Sequence, residues 1–334
     1  MNSSQPQSTL SSVSARPPEA RGASRAAGVL LAAVAAIAYG VTTVIGRELA
    51  HARVDSATAL GARFSIAAVV LAGLLGLRRA PLRPLTGEWG KIVALGAVGY
   101  ALESTLFYLS LERGTAAACV LLFYAYPAIV MTIELARRDA RLDAATCVAL
   151  SLAVAGTAVV VAAGSNVSIS DAGVVLALGS ALAFAVYLVI GRQLGRRTDA
   201  MTAACWVAVG AAAASLGRGI LTGTLRQPTG HLLEIAGYGA ATAAAFGLSF
   251  AALNRIGATH TAVMMTLEAL SAVVLAAIFL DEGISTAQGL GGVAILVAAA
   301  VIAWSHRPKT EPADRLEGGR PAVKAVPRDG VSAS

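Results

Sequence analysis

The chain has 334 residues, of which 56% are apolar and only 13% charged. Soluble domains carry roughly 25% charged residues, so this chain lacks the polar surface that a water-soluble protein of its length requires, and most of it must face lipid. The net charge of +7 lies between apolar runs and in the tails, a distribution that fits orientation in a membrane and argues against a nucleic-acid-binding face.

Residues 1–25 are rich in Ser, Pro and Arg and read as a disordered N-terminal tail. The apolar run that follows is too long for a signal-peptide core, so it is expected to stay on the chain. Crossing a hydrocarbon core of roughly 30 Å takes about 20 helical residues. Ten runs meet that length: 26–46, 57–77, 91–111, 115–135, 142–163, 172–191, 200–221, 234–253, 258–280 and 286–305. Residues 306–334 form a second polar tail. Placing the N-terminus in the cytoplasm puts 20 Lys and Arg on the inner side and 5 on the outer side, with Arg63 alone inside a span. Both termini are therefore expected in the cytoplasm of a multi-pass protein of the cell membrane.

Residues 28–49 and 173–194 align without a gap, with 12 of 22 positions identical, among them Gly46/Gly191 and Arg47/Arg192. They belong to the first and sixth runs, which cross in opposite directions. The expected fold is thus an all-α membrane protein of ten helices in two inverted five-helix repeats, 26–163 and 172–305, the architecture of many secondary transporters. At an offset of 142, Leu111/Leu253, Arg113/Arg255, Ala116/Ala258 and Asp139/Asp281 also coincide.

Three local patterns add to this order of runs. Ala59–Phe64 reads A-L-G-A-R-F, Gly114–Pro127 reads G-T-A-A-A-C-V-L-L-F-Y-A-Y-P, and Ile256–Leu270 is followed by F-L-D-E-G at Phe279–Gly283. In that order they resemble the EamA-type members of the drug/metabolite transporter superfamily, over about residues 26–305. The resemblance implies a cavity lined by the third, fourth, eighth and ninth helices. The chain departs from it at Glu268-Ala269, where the family usually has Glu-Pro, and at Arg137–Arg141, which reads R-R-D-A-R.

Charges at membrane depth mark functional candidates. Glu268 falls roughly 14–15 Å from the inner end of its run, near the midplane, with Met265 and Ser271 at helical spacing. It is the candidate proton-coupling group and a substrate ligand, or else a carboxyl held for packing. Glu103 shares a face with Tyr100 and Phe107, which would form an aromatic wall. Arg63 lies at a depth that permits pairing with Glu103, and a structural role is expected of it. Pro127 has no N–H for the carbonyl of Phe123 and should kink the fourth helix, beside Tyr124 and Tyr126. Glu134 precedes Arg137 and Arg138 at helical spacing and reads as their ion-pair partner. Arg47 and Arg192 read as helix-end anchors, and the glycines of Gly289–Gly292 as a packing or homodimer contact.

Cys119, Cys147 and Cys205 lie inside apolar runs, and no metal-ligand spacing, Walker motif or nucleophile constellation occurs. No cofactor, metal or nucleic-acid partner is expected, and catalysis is not. The expected partners are the bilayer and a small-molecule substrate, and the expected activity is export of metabolites, amino acids or drug-like compounds by alternating access, coupled to protons or to exchange. A membrane scaffold or channel component and an intramembrane enzyme on lipid are the alternatives.

Overall fold

Apolar backbone in lipid must satisfy every N–H and C=O within its own segment, and helices do this. The computed structural model describes residues 18–84, 87–111, 113–114, 116–138, 143–163, 168–195, 198–226, 230–279 and 284–305, and among them no β-strand occurs. The helices are α1 (Pro18–His51), α2 (Ser56–Leu77), α3 (Trp89–Ala94), a π segment (Leu95–Tyr100), α4 (Ala101–Leu111), α5 (Ala116–Phe123), α6 (Tyr126–Ala136), α7 (Ala144–Ala162), α8 (Asp171–Gly195), α9 (Ala200–Thr222), α10 (Leu232–Met265), α11 (Leu267–Phe279) and α12 (Thr286–Ser305). Eight helical stretches are long and apolar enough to cross a membrane.

Several expectations are corrected here. Helix α1 starts at Pro18, so residues 18–25, read as tail, are helical. The run 91–111 is not one regular helix but α3, a π segment and α4, and such π geometry inside helices is frequently found at functional sites. The run 258–280 is divided: its first part is continuous with the preceding helix across Gly257, whose φ of 82° and ψ of 172° interrupt α10, and its second part is α11. Residues 1–17, 306–334, Asp139–Arg141 and the acidic exit at 280–283 lie outside the described residues.

Each copy of the duplicated segment, in α1 and in α8, leads through a short connection to a helix capped by an aspartate. Asp55 accepts from Ala57 N (2.9 Å) and Thr58 N (3.3 Å) at the start of α2. Asp199 accepts from Met201 N (3.0 Å) and Thr202 N (3.1 Å) at the start of α9. The same unit therefore recurs with the same end chemistry.

Packing repeats as well. Helix α1 lies along α10 and α11, while α8 lies along α4, α5 and α6; α2 packs on α10, while α9 packs on α3 and the π segment. The pairs α2·α9 and α7·α12 join the two halves. Glycines permit these approaches. A Cβ on Gly96 would strike the carbonyl of Val207 on α9, and one on Gly239 would meet Ile66 Cβ of α2 at 2.4 Å, backbone and side chain giving no room. Gly156 and Gly291 oppose each other, each facing the other's carbonyl. Gly291 thus serves contact within the chain, between α7 and α12.

Two outcomes are expected at these points. Gly96→Ala drives a methyl group into backbone and costs about 1–3 kcal/mol, read as loss of unfolding free energy in detergent. Gly73→Ala, where a Cβ meets nothing within 4 Å, is the neutral control. At the start of α7, Asp143 accepts from Thr146 N at 3.1 Å, and its hydrogen bonds to Thr146 hold its carboxyl below the usual range. A depressed folded-state pKa stabilises above the unfolded value and is lost as pH falls through the folded one. The stability gap between wild type and Asp143→Ala therefore narrows on acidification, measured as melting temperature against pH below neutrality.

Candidate functional site

The centre of the bundle is aromatic, and both halves of the chain supply it. Tyr100 stands edge-on to Phe64 (5.4 Å between ring centroids), Tyr187 (5.4 Å) and Phe246 (5.1 Å). Tyr126 meets Phe184 at 4.8 Å and Phe123 at 5.3 Å, and Phe123 in turn meets Phe107 at 5.5 Å. Tyr124 lies 5.9 Å from Tyr126. Edge-to-face arrangements of this kind align ring edges with π-faces and hold a rigid amphipathic wall.

Two helices are broken beside this wall. Helix α5 ends at Phe123 and α6 begins at Tyr126 with Pro127 in its first turn. The missing N–H of Pro127 accounts for the break, and Ala128 N turns to Ala125 O at 3.1 Å instead. At the offset of 142, Tyr124 corresponds to Thr266, and there α10 stops and α11 starts although no proline is present. Thr266 N bonds Val263 O at 3.2 Å, and its hydroxyl donates to the same carbonyl at 2.7 Å.

Glu268 consequently occupies the first turn of α11. Free N–H groups and the positive end of the helix dipole favour a carboxylate there. It is half-buried, and Thr43 Oγ1 of α1 donates to its Oε1 at 3.0 Å. Gly40, one turn before Thr43, has no room for a Cβ against Ser271, which allows α11 to sit on α1. Ser271 donates to Glu268 O (3.0 Å) and Ala36 O (3.4 Å), so its hydroxyl is engaged in that helix contact. Met265 is buried in the main core.

Glu103 is buried and accepts from Ser104 Oγ at 2.9 Å. Arg63 donates to Thr242 Oγ1 (2.7 Å) and Tyr238 OH (3.0 Å) of α10, and its guanidinium lies 4.5 Å from the Tyr238 ring centroid. It is also within electrostatic reach of both Glu103 and Glu268. Tyr100, Tyr124, Tyr126 and Met265 thus share one buried core, Phe107 meets it through Phe123, and Ser271 lies beside Glu268.

Glu134 departs from expectation. Instead of facing Arg137 and Arg138, it is buried (2% exposed), pairs with Arg192 of α8, and accepts from Thr259 Oγ1 and from Thr259 N at 3.0 Å. The Arg192 guanidinium lies over Gly257, 3.1–3.4 Å from where a Cβ would stand. Arg192 is therefore a cross-linking group and not a helix-end anchor. The sequence reading also missed Thr43, Tyr39, Phe184, Tyr187 and Phe246. Tyr39 and Phe184 are counterparts in the duplicated segment, and that aromatic-for-aromatic match was the signal that could have located them.

Eight helical stretches long and apolar enough to cross a membrane, packed around a carboxyl-bearing aromatic centre, define a multi-pass membrane protein. The EamA-like transporter family matches the chain twice, over residues 26–162 and 171–304, and the chain belongs to that family. A relative from Bacillus subtilis described as an uncharacterized transporter, YwfM, is 28% identical over 225 residues, covering 65% of this chain and 74% of its own. An uncharacterized Pseudomonas aeruginosa protein, PA1977, is 30% identical over 168 residues, and the match spans 50% of this chain and about half (56%) of that protein's length. A solved crystal structure superimposes with a TM-score of 0.76 at 19% identity, covering 86% of this chain and 99% of the other; it speaks to the fold alone.

Proposed function

We propose that the chain is a secondary transporter of ten spans in two inverted repeats, 26–163 and 172–305, with both termini in the cytoplasm of the cell membrane. It exports small amphipathic solutes (amino acids, other metabolites or drug-like compounds) by alternating access, with proton coupling or exchange at Glu268. The reciprocal packing of α1 with α10 and of α8 with α4 supports the two-fold relation of the halves. The observation that carries the function is the placement of Glu268 in the first turn of a broken helix, where Thr43 of α1 donates to it. Discontinuous helices that aim their ends at a midplane site are a recurring device of such transporters.

Glu134, Arg192 and Thr259 join α6 to α8 and α10 at what this orientation makes the inner end. They act as the inner closure, which must part for the cavity to open to the cytoplasm. The test is flux from proteoliposomes loaded with an amino-acid and metabolite panel, with and without a pH gradient. Saturable movement of one solute class is expected. Absence of flux for every solute under every gradient sinks the reading.

A further inference from the structure

A groove of about 950 Å³ lies between α1, α2, α9 and α10, and none of the tyrosines or phenylalanines of the aromatic centre lines it. Its floor follows one face of α10 from Ala240 through Ala244, Gly247 and Ala251 to Arg255. At a rise of 1.5 Å per residue that floor is roughly 22 Å long and runs along the helix axes. One wall is Val70, Leu74 and Arg78 of α2. The small floor residues leave a channel that no side chain of the described residues fills. Polarity is confined to one end, where Arg78 and Arg255 stand with Asn254, Thr198 and Asp199.

Two guanidinium groups face one carboxylate at that end, which leaves it positive. Asp199 is engaged in capping α9, and Thr198 donates to Glu88 at 2.8 Å. Arg255 spends one donor on Ala251 O at 2.8 Å. Arg78 has no side-chain hydrogen bond or ion pair among the described residues. Two guanidinium groups at the mouth of an apolar interhelical channel match a phosphate diester with an acyl chain, because planar N–H forks suit phosphate oxygens and the channel suits hydrocarbon.

We propose that this groove is a binding site for an anionic phospholipid, with the chain along α10 and the phosphate between Arg78 and Arg255. The site rests on the chain spanning a bilayer and on no assumption about what it transports. The test is native mass spectrometry of the delipidated full chain, titrated with phosphatidylglycerol and with phosphatidylcholine of identical chains. The wild type is expected to retain phosphatidylglycerol preferentially, and each arginine replaced in Arg78→Gln and Arg255→Gln should weaken it by roughly fivefold. Ala244→Trp fills the channel without touching the charges and should reduce binding of both lipids, which keeps the proposal open to test if the arginine variants misfold. Equal retention of the two lipids overturns it, as does a preference that survives the double substitution. So does displacement of the lipid by glycerol phosphate alone, which would mark a site for soluble anions, or a dimer mass that leaves no lipid bound.

Discussion

Glu268→Gln is expected to lower solute flux by about 10- to 150-fold, the value of a hydrogen-bonded charge, while leaving the protein as stable as the wild type. The substitution keeps an oxygen to accept from Thr43 Oγ1, which now donates at 3.0 Å, and so removes the charge and little else. It also removes the one titratable side chain of the α11 first turn. Flux through the variant should therefore lose the pH dependence of the wild type, whereas Glu268→Asp should retain it at reduced rate. Initial rates from proteoliposomes across a range of pH decide the matter: rates within twofold of wild type, with the pH profile intact, exclude Glu268 from the site.

Glu134→Ala should be the most destabilising side-chain truncation where α6 meets α8 and α10. Breaking a buried ion pair by removing one partner costs about 3–5 kcal/mol, and the 20% exposure of the Arg192 side chain places this pair at the lower bound. Thr259 N and its hydroxyl lose their acceptor at the same time. Adding Arg192→Gln to Glu134→Gln should recover part of the loss, since no charge is then stranded, and a double-mutant cycle on unfolding free energies measures the coupling. Strict additivity of the two single changes would mean that the pair contributes nothing to closure.

How much of this was legible in the sequence depends on the range of the interactions. The apolar character of the chain, the duplicated segment and the break at Pro127 are local or periodic and are readable directly. The break at Thr266 is not, because no residue there lacks an N–H; α11 approaches α1 closely there, at Gly40, a contact between distant parts of the sequence. Arg63 and Glu103 could be named from their depth, but the hydrogen bonds of Arg63 to Tyr238 and Thr242 span 175 and 179 residues of sequence, beyond any local pattern. Glu134 failed for the converse reason. Its sequence neighbours Arg137 and Arg138 offered an attractive local pair, yet burial directed it to Arg192, 58 residues away.

The two helix breaks are mechanically unequal. Pro127 has no hydrogen to return to the helix, so the gap between α5 and α6 is permanent. Its counterpart Ala269 keeps its N–H, which donates to Thr266 O at 3.2 Å. One half of the molecule therefore has a break that its chemistry fixes, and the other a break that its chemistry does not. Straightening would carry Glu268 with it, swinging the carboxyl away from Thr43 without bending the first half at all. In a fold built from two matching halves, motion would then belong to one of them.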